Sequence, residues 1–221
     1  MDVSAELERF AEQRRAMVDS QLRPNAVNDA RVVRAMGEVP REAYLPASCA
    51  AVAYADVKLP LGAGRTSNPP IATGRLLTEA AVRPGDRALV IGAAGGYAAA
   101  VLARLCDHVV ALECLAELAA AARTALADVA HVAIVEGPLE AGWAAGGPYD
   151  LVVIDGAVEQ VPPAIADQLA PGGRLVTGLI DRGVVRLAAG RRSAGGFGLL
   201  DFADVDAAHL PGFAPRQGFV F

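Results

Sequence analysis

Gly92-Ala93-Ala94-Gly95-Gly96 stands between two short apolar runs, and Glu113 closes the second of them. That grouping has a chemistry. Glycines let a backbone turn sharply and approach a ligand with no Cβ in the way. A helix that opens directly after them aims free N–H groups at the same ligand. An acid at the end of the following strand can accept both hydrogen bonds of a ribose diol, and Glu113 lies ~20 residues past the glycines, the separation that role needs. A second grouping, Thr66-Ser67-Asn68, offers two hydroxyls and an amide inside a rigid Pro- and Gly-bounded loop, Gly64 to Pro70. The third candidate is Asp155, at the end of the apolar run Leu151–Ile154. Function in open α/β sheets gathers at the carboxyl ends of strands.

The spacing narrows the ligand. The turn reads G-x-x-G-G, not the G-x-G-x-x-G of dinucleotide sites, and no G-x-x-x-x-G-K-[ST] occurs. The remaining nucleotide class is S-adenosylmethionine. The cofactor-binding candidates are therefore Gly92, Ala93, Ala94, Gly95, Gly96, Tyr97, Glu113 and Asp155. The alternative is a glycine-rich turn that is purely structural.

These residues need elements to hold them. Leu7, Phe10, Met17 and Val18 recur at helical spacing, predicting an amphipathic helix over residues 4–22 that stops before Pro24. Asn28 is the expected N-cap of a second helix carrying Val32, Val33 and Met36. A short helix is expected near Ala50–Tyr54 and a longer one over Ile71–Ala81. Strands are expected at 88–91, 108–112, 131–135, 151–154 and 174–179, with helices over 97–105, after Glu113, and over 163–169. Pro171-Gly172-Gly173 reads as a turn. Two further β-like runs, 183–188 and 197–204, lead to a tail whose phenylalanines suit an edge strand. This alternation predicts an α/β fold with a mostly parallel, doubly wound sheet. The chain divides into an N-terminal helical extension (1–63) and a Rossmann-like core with C-terminal strands (64–221), together one domain.

Composition excludes other classes. A net charge of −5 over 221 residues, with scattered basic residues, argues against a nucleic-acid partner. No apolar run approaches the ~20 residues that span a bilayer, and the charged N-terminus does not resemble a signal peptide. A cytoplasmic location is the expectation. Cys49, Cys106 and Cys114 lack C-x-x-C spacing, and His108, His131 and His209 stand apart, so no metal site is expected.

Three blocks together resemble the protein-L-isoaspartate O-methyltransferase family. They are MVDSQLRPNAVNDARVVRAMGEVPREAYLP (17–46), PGDRALVIGAAGGYAAAVLARL (84–105) and YDLVVIDGAVEQVPPAIADQLAPGGRLV (149–176), in the family's order, and the resemblance spans roughly residues 8–179. It implies the class I methyltransferase fold, S-adenosylmethionine as methyl donor and an isoaspartyl peptide or protein as acceptor, the ester then promoting succinimide formation and repair. Thr66, Ser67 and Asn68 are then the catalytic candidates, framing the acceptor. The chain departs from the family pattern at several points. Val90 stands for an acid, Ala94 for the second glycine, and Gly137-Pro138 for a Gly-Asp pair flanked here by Glu136 and Glu140. The family's Thr-x-Ser-x-Pro places its serine at Asn68 without gaps; a one-residue slip places it at Ser67. Asp155 replaces a neutral residue. Two alternatives stay open: the same fold with another acceptor, and a weakened relative acting as an interaction module.

Overall fold

The computed structural model of the chain describes residues 3–214. Its centre is a seven-stranded sheet. Ahead of it in the chain, β1 (Pro60–Gly62) and β2 (Arg65–Thr66) form a small antiparallel hairpin of their own. The sheet contains β3 (Arg87–Ile91), β4 (His108–Glu113), β5 (Val132–Glu136), β6 (Tyr149–Val158), β7 (Leu169–Asp181), β8 (Val184–Arg191) and β9 (Leu199–Ala203). The order is β5-β4-β3-β6-β7-β8-β9, parallel from β5 to β7 and antiparallel from β7 to β9. From β3 the chain steps outward to β4 and β5, then returns to β6 on the other side. The crevice between β3 and β6 is thus the switch point where ligands bind in such sheets.

The apolar runs are continuous because both sheet faces are covered. Ala88 and Val90 of β3 point into one core with Phe10, Met17, Leu22, Val32, Met36 and Leu76. Leu89 and Ile91 point into the other with Leu112, Val152, Ile165, Leu210 and Phe213. The first core is built by α1 (Val3–Met17), α2 (Ala30–Glu38), α3 (Pro70–Glu79) and α4 (Tyr97–Leu102). On the chain beyond β4 lie α5 (Ala116–Ala125) and the four-residue α6 (Pro163–Ala166).

Several boundaries differ from those the sequence predicts. The first helix gives way to a π turn at Val18–Leu22 and a 3-10 turn at Arg23–Asn25. Asp29, not Asn28, caps α2, its carboxylate accepting from Arg31 N and Val32 N. Residues 47–52 form a 3-10 helix. The helix expected over 163–169 stops at Ala166, and Pro171-Gly172-Gly173 lies inside β7. There β6 pairs Tyr149 with Leu169 and Leu151 with Arg174, so the glycine pair is absorbed as a bulge. Phe213 packs in the second core instead of forming an edge; the sheet's edges are β5 and β9, and Phe219 and Phe221 lie outside the described residues.

Candidate active site

The glycine turn lies where β3 ends. Gly92 N and Ala93 N both donate to Leu112 O of the neighbouring strand at 3.0 Å, and Gly96 N closes the turn on Ala93 O at 2.8 Å. Ala94 takes the left-handed φ of 51° and donates its N–H to Glu113 Oε2 at 2.8 Å. Turn and acid are therefore one unit.

Glu113 ends β4 as the sequence predicts, but its carboxylate is committed inside the chain. Oε1 accepts from Cys114 N (2.9 Å), Leu115 N (3.1 Å) and Arg65 Nη1 (2.7 Å), and Oε2 accepts from Arg65 Nη2 at 3.3 Å. Both partners are buried, Glu113 completely. In this structure the carboxylate expected to face a ribose diol is held by Arg65, the basic residue of the preceding hairpin. The glycines also serve neighbours within the chain. A Cβ on Gly95 would fall inside contact distance of the Tyr44 carbonyl oxygen, and one on Gly92 would lie 2.8 Å from the Leu210 side chain. Gly96 faces Leu126 and Ala122 at the end of α5.

The Thr66–Asn68 loop is anchored from below by Arg41, a fully buried cation. Its Nε donates to Ala53 O (2.9 Å), and its Nη2 to Asn68 O (2.6 Å) and Ser67 Oγ (3.2 Å). Burial lowers its pKa, against the pull of Tyr97 and Asp155, but a guanidinium stays charged. The Arg41 guanidinium lies 4.7 Å from the centre of the Tyr97 ring. The Tyr97 hydroxyl is buried without a hydrogen-bond partner among the described residues, and burial pushes its pKa up to about 12.

Asn68 is a strap. Its Nδ2 donates to Asp155 Oδ1 at 2.9 Å, and its Oδ1 accepts from Ala208 N at 2.8 Å. The two departures from the family pattern, Asn68 and Asp155, are therefore bonded to each other. Thr73 Oγ1 also donates to Asp155, at 3.1 Å. Burial raises the Asp155 carboxyl pKa, opposed by the Asn68 and Thr73 hydrogen bonds and by the charges of Arg41 and Arg65. One of the two Nδ2 protons is on Asp155 and Oδ1 is in use, which leaves Asn68 a second amide proton to donate. Ser67 also keeps a donor. Its Oγ accepts from Arg41 and from Leu59 N (3.3 Å), so its own proton remains to be donated.

The C-terminal segment crosses above. Ala157 N donates to Ala208 O at 2.7 Å and Leu210 N to Ala157 O at 3.0 Å, which lays Leu210 over Gly92. Between these pieces is a cavity of about 20 Å³. Thr66, Ser67, Asn68, Gly92, Ala93, Ala94, Gly95, Tyr97 and Asp155 line it together with Arg41, Tyr44, Leu45 and Leu61. Gly96 and Glu113 lie off it. That volume holds a water or two, since one water needs ~10–15 Å³.

Sequence reasoning missed Arg41, Tyr44, Leu61 and Arg65. Arg65 precedes Thr66 in the Gly64–Pro70 loop, and Arg41 lies in the 17–46 block that resembles the family, so adjacency was the available signal. Among the described residues no group of three His, Cys, Asp or Glu stands together as metal ligands, and no helix is long and apolar enough to cross a membrane.

Residues 12–195 match the family model described as protein-L-isoaspartate(D-aspartate) O-methyltransferase. A protein-L-isoaspartate O-methyltransferase from Methylorubrum populi is 44% identical over 164 residues, 74% of this chain and 77% of that protein. The enzyme of that name from Koribacter versatilis is 39% identical over 178 residues, covering 80% of each. Among solved structures, a protein-L-isoaspartate O-methyltransferase superposes with a TM-score of 0.77 at 23% identity, over 90% of this chain and 66% of the longer one. A Plasmodium falciparum protein assigned to the same activity, solved with S-adenosyl-L-homocysteine, gives 0.73 at 18% identity, over 88% of this chain and 96% of that one. At those identities the superpositions speak for the fold, which is the Rossmann-like methyltransferase fold. On the family model and the curated relatives together, the chain belongs to the protein-L-isoaspartate(D-aspartate) O-methyltransferase family.

Proposed function

We propose that this chain, acting as one domain, is an S-adenosylmethionine-dependent methyltransferase that esterifies isoaspartyl residues of damaged proteins. Family membership supports the reaction and the acceptor class. The observation that carries the cofactor assignment is the Ala94 N–Glu113 bond, which joins an acid to a glycine turn at the switch point of the sheet. The donor set suits the cofactor: a carboxylate for the ribose diol, and main-chain groups of Gly92–Gly96 for the rest, with Tyr97 and Asp155 at the border. Space does not suit it until the 20 Å³ cavity widens.

S-adenosylmethionine supplies the activated methyl group. The acceptor carboxylate is already a nucleophile, so the chain's own task is alignment and exclusion of water. Arg41 holds Ser67 and Asn68 in place and brings a positive charge below them, favourable for an anionic acceptor. Ser67 offers its hydroxyl proton to an acceptor oxygen, and Thr66 lines the same cavity. Asp155 is a like charge on this side of the cavity; burial raises its pKa, which lessens the charge that faces the acceptor. The three unpaired thiols fit a reducing, cytoplasmic setting.

Calorimetry tests both halves. The expected result is heat on adding S-adenosylmethionine or its demethylated product, and further heat when an isoaspartyl peptide joins the product-bound protein. Cofactor heat with no response to the peptide would reject the acceptor assignment.

A further inference from the structure

We propose that Arg65 is an internal occupant of the ribose subsite, and that the β1–β2 hairpin carrying it swings outward when the cofactor binds. This rests on the cofactor assignment made above. The Glu113 carboxylate offers about four lone-pair positions. They are taken by the N–H groups of Ala94, Cys114 and Leu115 and by both terminal nitrogens of Arg65. The three amides belong to the turn and to the start of α5, which define the site. The guanidinium is the charged donor among these partners and reaches in from a separate element, so it is the group that a diol replaces.

Three observations make the hairpin movable. It pairs only within itself and stays outside the seven-stranded sheet. Its tip stands in open space, with no atom within 4 Å of where a Cβ on Gly62 or Gly64 would lie. Arg65 itself is imperfectly housed, because its Nε is buried without an acceptor among the described residues. Releasing the guanidinium to water therefore restores a hydrogen bond that the closed form denies it.

Withdrawal also solves the space problem. Leu61 of β1 lines the 20 Å³ cavity and, with Tyr44, Leu45 and Gly95, a second cavity of 260 Å³ beside α5. Moving the hairpin removes Leu61 and Arg65 together and merges the two cavities. The joint space then nears the ~300–1,000 Å³ typical of small-molecule sites. The charge follows the same logic: a sulfonium-bearing ligand and a guanidinium repel each other, and Glu113 cannot serve both.

The test compares wild type with Arg65→Gln and Arg65→Met, using S-adenosyl-L-homocysteine, adenosine and 2′,3′-dideoxyadenosine as probes. Both variants should bind the first two at least tenfold tighter, the equivalent of ~1.4 kcal/mol. The dideoxy compound should show no such gain. In wild type, hydrogen exchange at the Leu61, Arg65 and Thr66 amides should quicken when the nucleoside is added. Circular dichroism confirms folding, and if one variant fails to fold the other carries the comparison. Equal or weaker binding by a folded variant, or slower hairpin exchange on binding, overturns the proposal while leaving the cofactor assignment intact. No binding by wild type or either variant removes the assignment and the proposal with it.

Discussion

Asn68→Ala tests how the acceptor loop is held. The side chain joins three segments far apart in sequence: its own loop, Asp155 at the end of β6, and Ala208 of the C-terminal segment. Alanine leaves the Ala208 N–H buried without an acceptor, a loss of ~1–3 kcal/mol, and removes a hydrogen bond to a carboxylate, worth ~1.5–3 kcal/mol. The sum is ~2.5–6 kcal/mol, or a fall in melting temperature of ~5–24 °C for a chain of this size. Part of the loss should depend on pH. Asp155 titrates in the ordinary Asp range when unfolded and higher when folded, because burial raises it and Asn68 only partly opposes that. Ionising it in the fold thus costs stability as pH rises from the first value to the second. Removing the Asn68 donor raises the folded value further, so the variant's deficit should grow over that window and be smaller at acid pH. Urea unfolding of both proteins at acid and neutral pH measures this. A deficit below ~1 kcal/mol, under the cost of one lost buried hydrogen bond, or one equal at both pH values, would refute the strap.

Four other substitutions separate packing from chemistry. Gly95→Ala drives a methyl into the Tyr44 carbonyl, whereas Gly85→Ala enters open space. Denaturation should show a loss of ~1–3 kcal/mol for the first and a change of ~0–1 kcal/mol, neutral or stabilising, for the second. Ala94→Gly relieves a left-handed alanine and keeps its N–H on Glu113, so unfolding should show a gain of up to ~1 kcal/mol. Tyr97→Phe deletes a buried hydroxyl that has no partner among the described residues and keeps the ring beside Arg41. Its melting temperature should hold or rise, while a weaker calorimetric affinity for S-adenosyl-L-homocysteine would show that the hydroxyl meets the ligand.

The sheet was legible in the sequence because its central strands are covered on both faces, which turns each into an unbroken apolar run such as Leu151–Ile154. The glycine turn and Glu113 were legible because a strand–turn–helix–strand unit has a fixed local spacing. What the spacing could not convey is long-range pairing. Arg65 meets Glu113 across 48 positions, and Asn68 meets Ala208 across 140. A lone arginine in a polar loop carries the same local pattern whether it faces solvent or a buried acid. Ala207 and Ala208 are too small and featureless to announce a segment that crosses the active end of the sheet. The glycine-pair bulge in β7 escaped because Pro171-Gly172-Gly173 has the composition of a turn, and only pairing with β6 makes it strand.

Methyl transfer itself decides whether this chain esterifies isoaspartyl residues. The purified protein is given isotopically methyl-labelled S-adenosylmethionine and either an isoaspartyl peptide or the same peptide with ordinary aspartate. A base-labile methyl ester should form on the isoaspartyl peptide alone. Cofactor bound in the same sample, with no ester on either peptide, would contradict it.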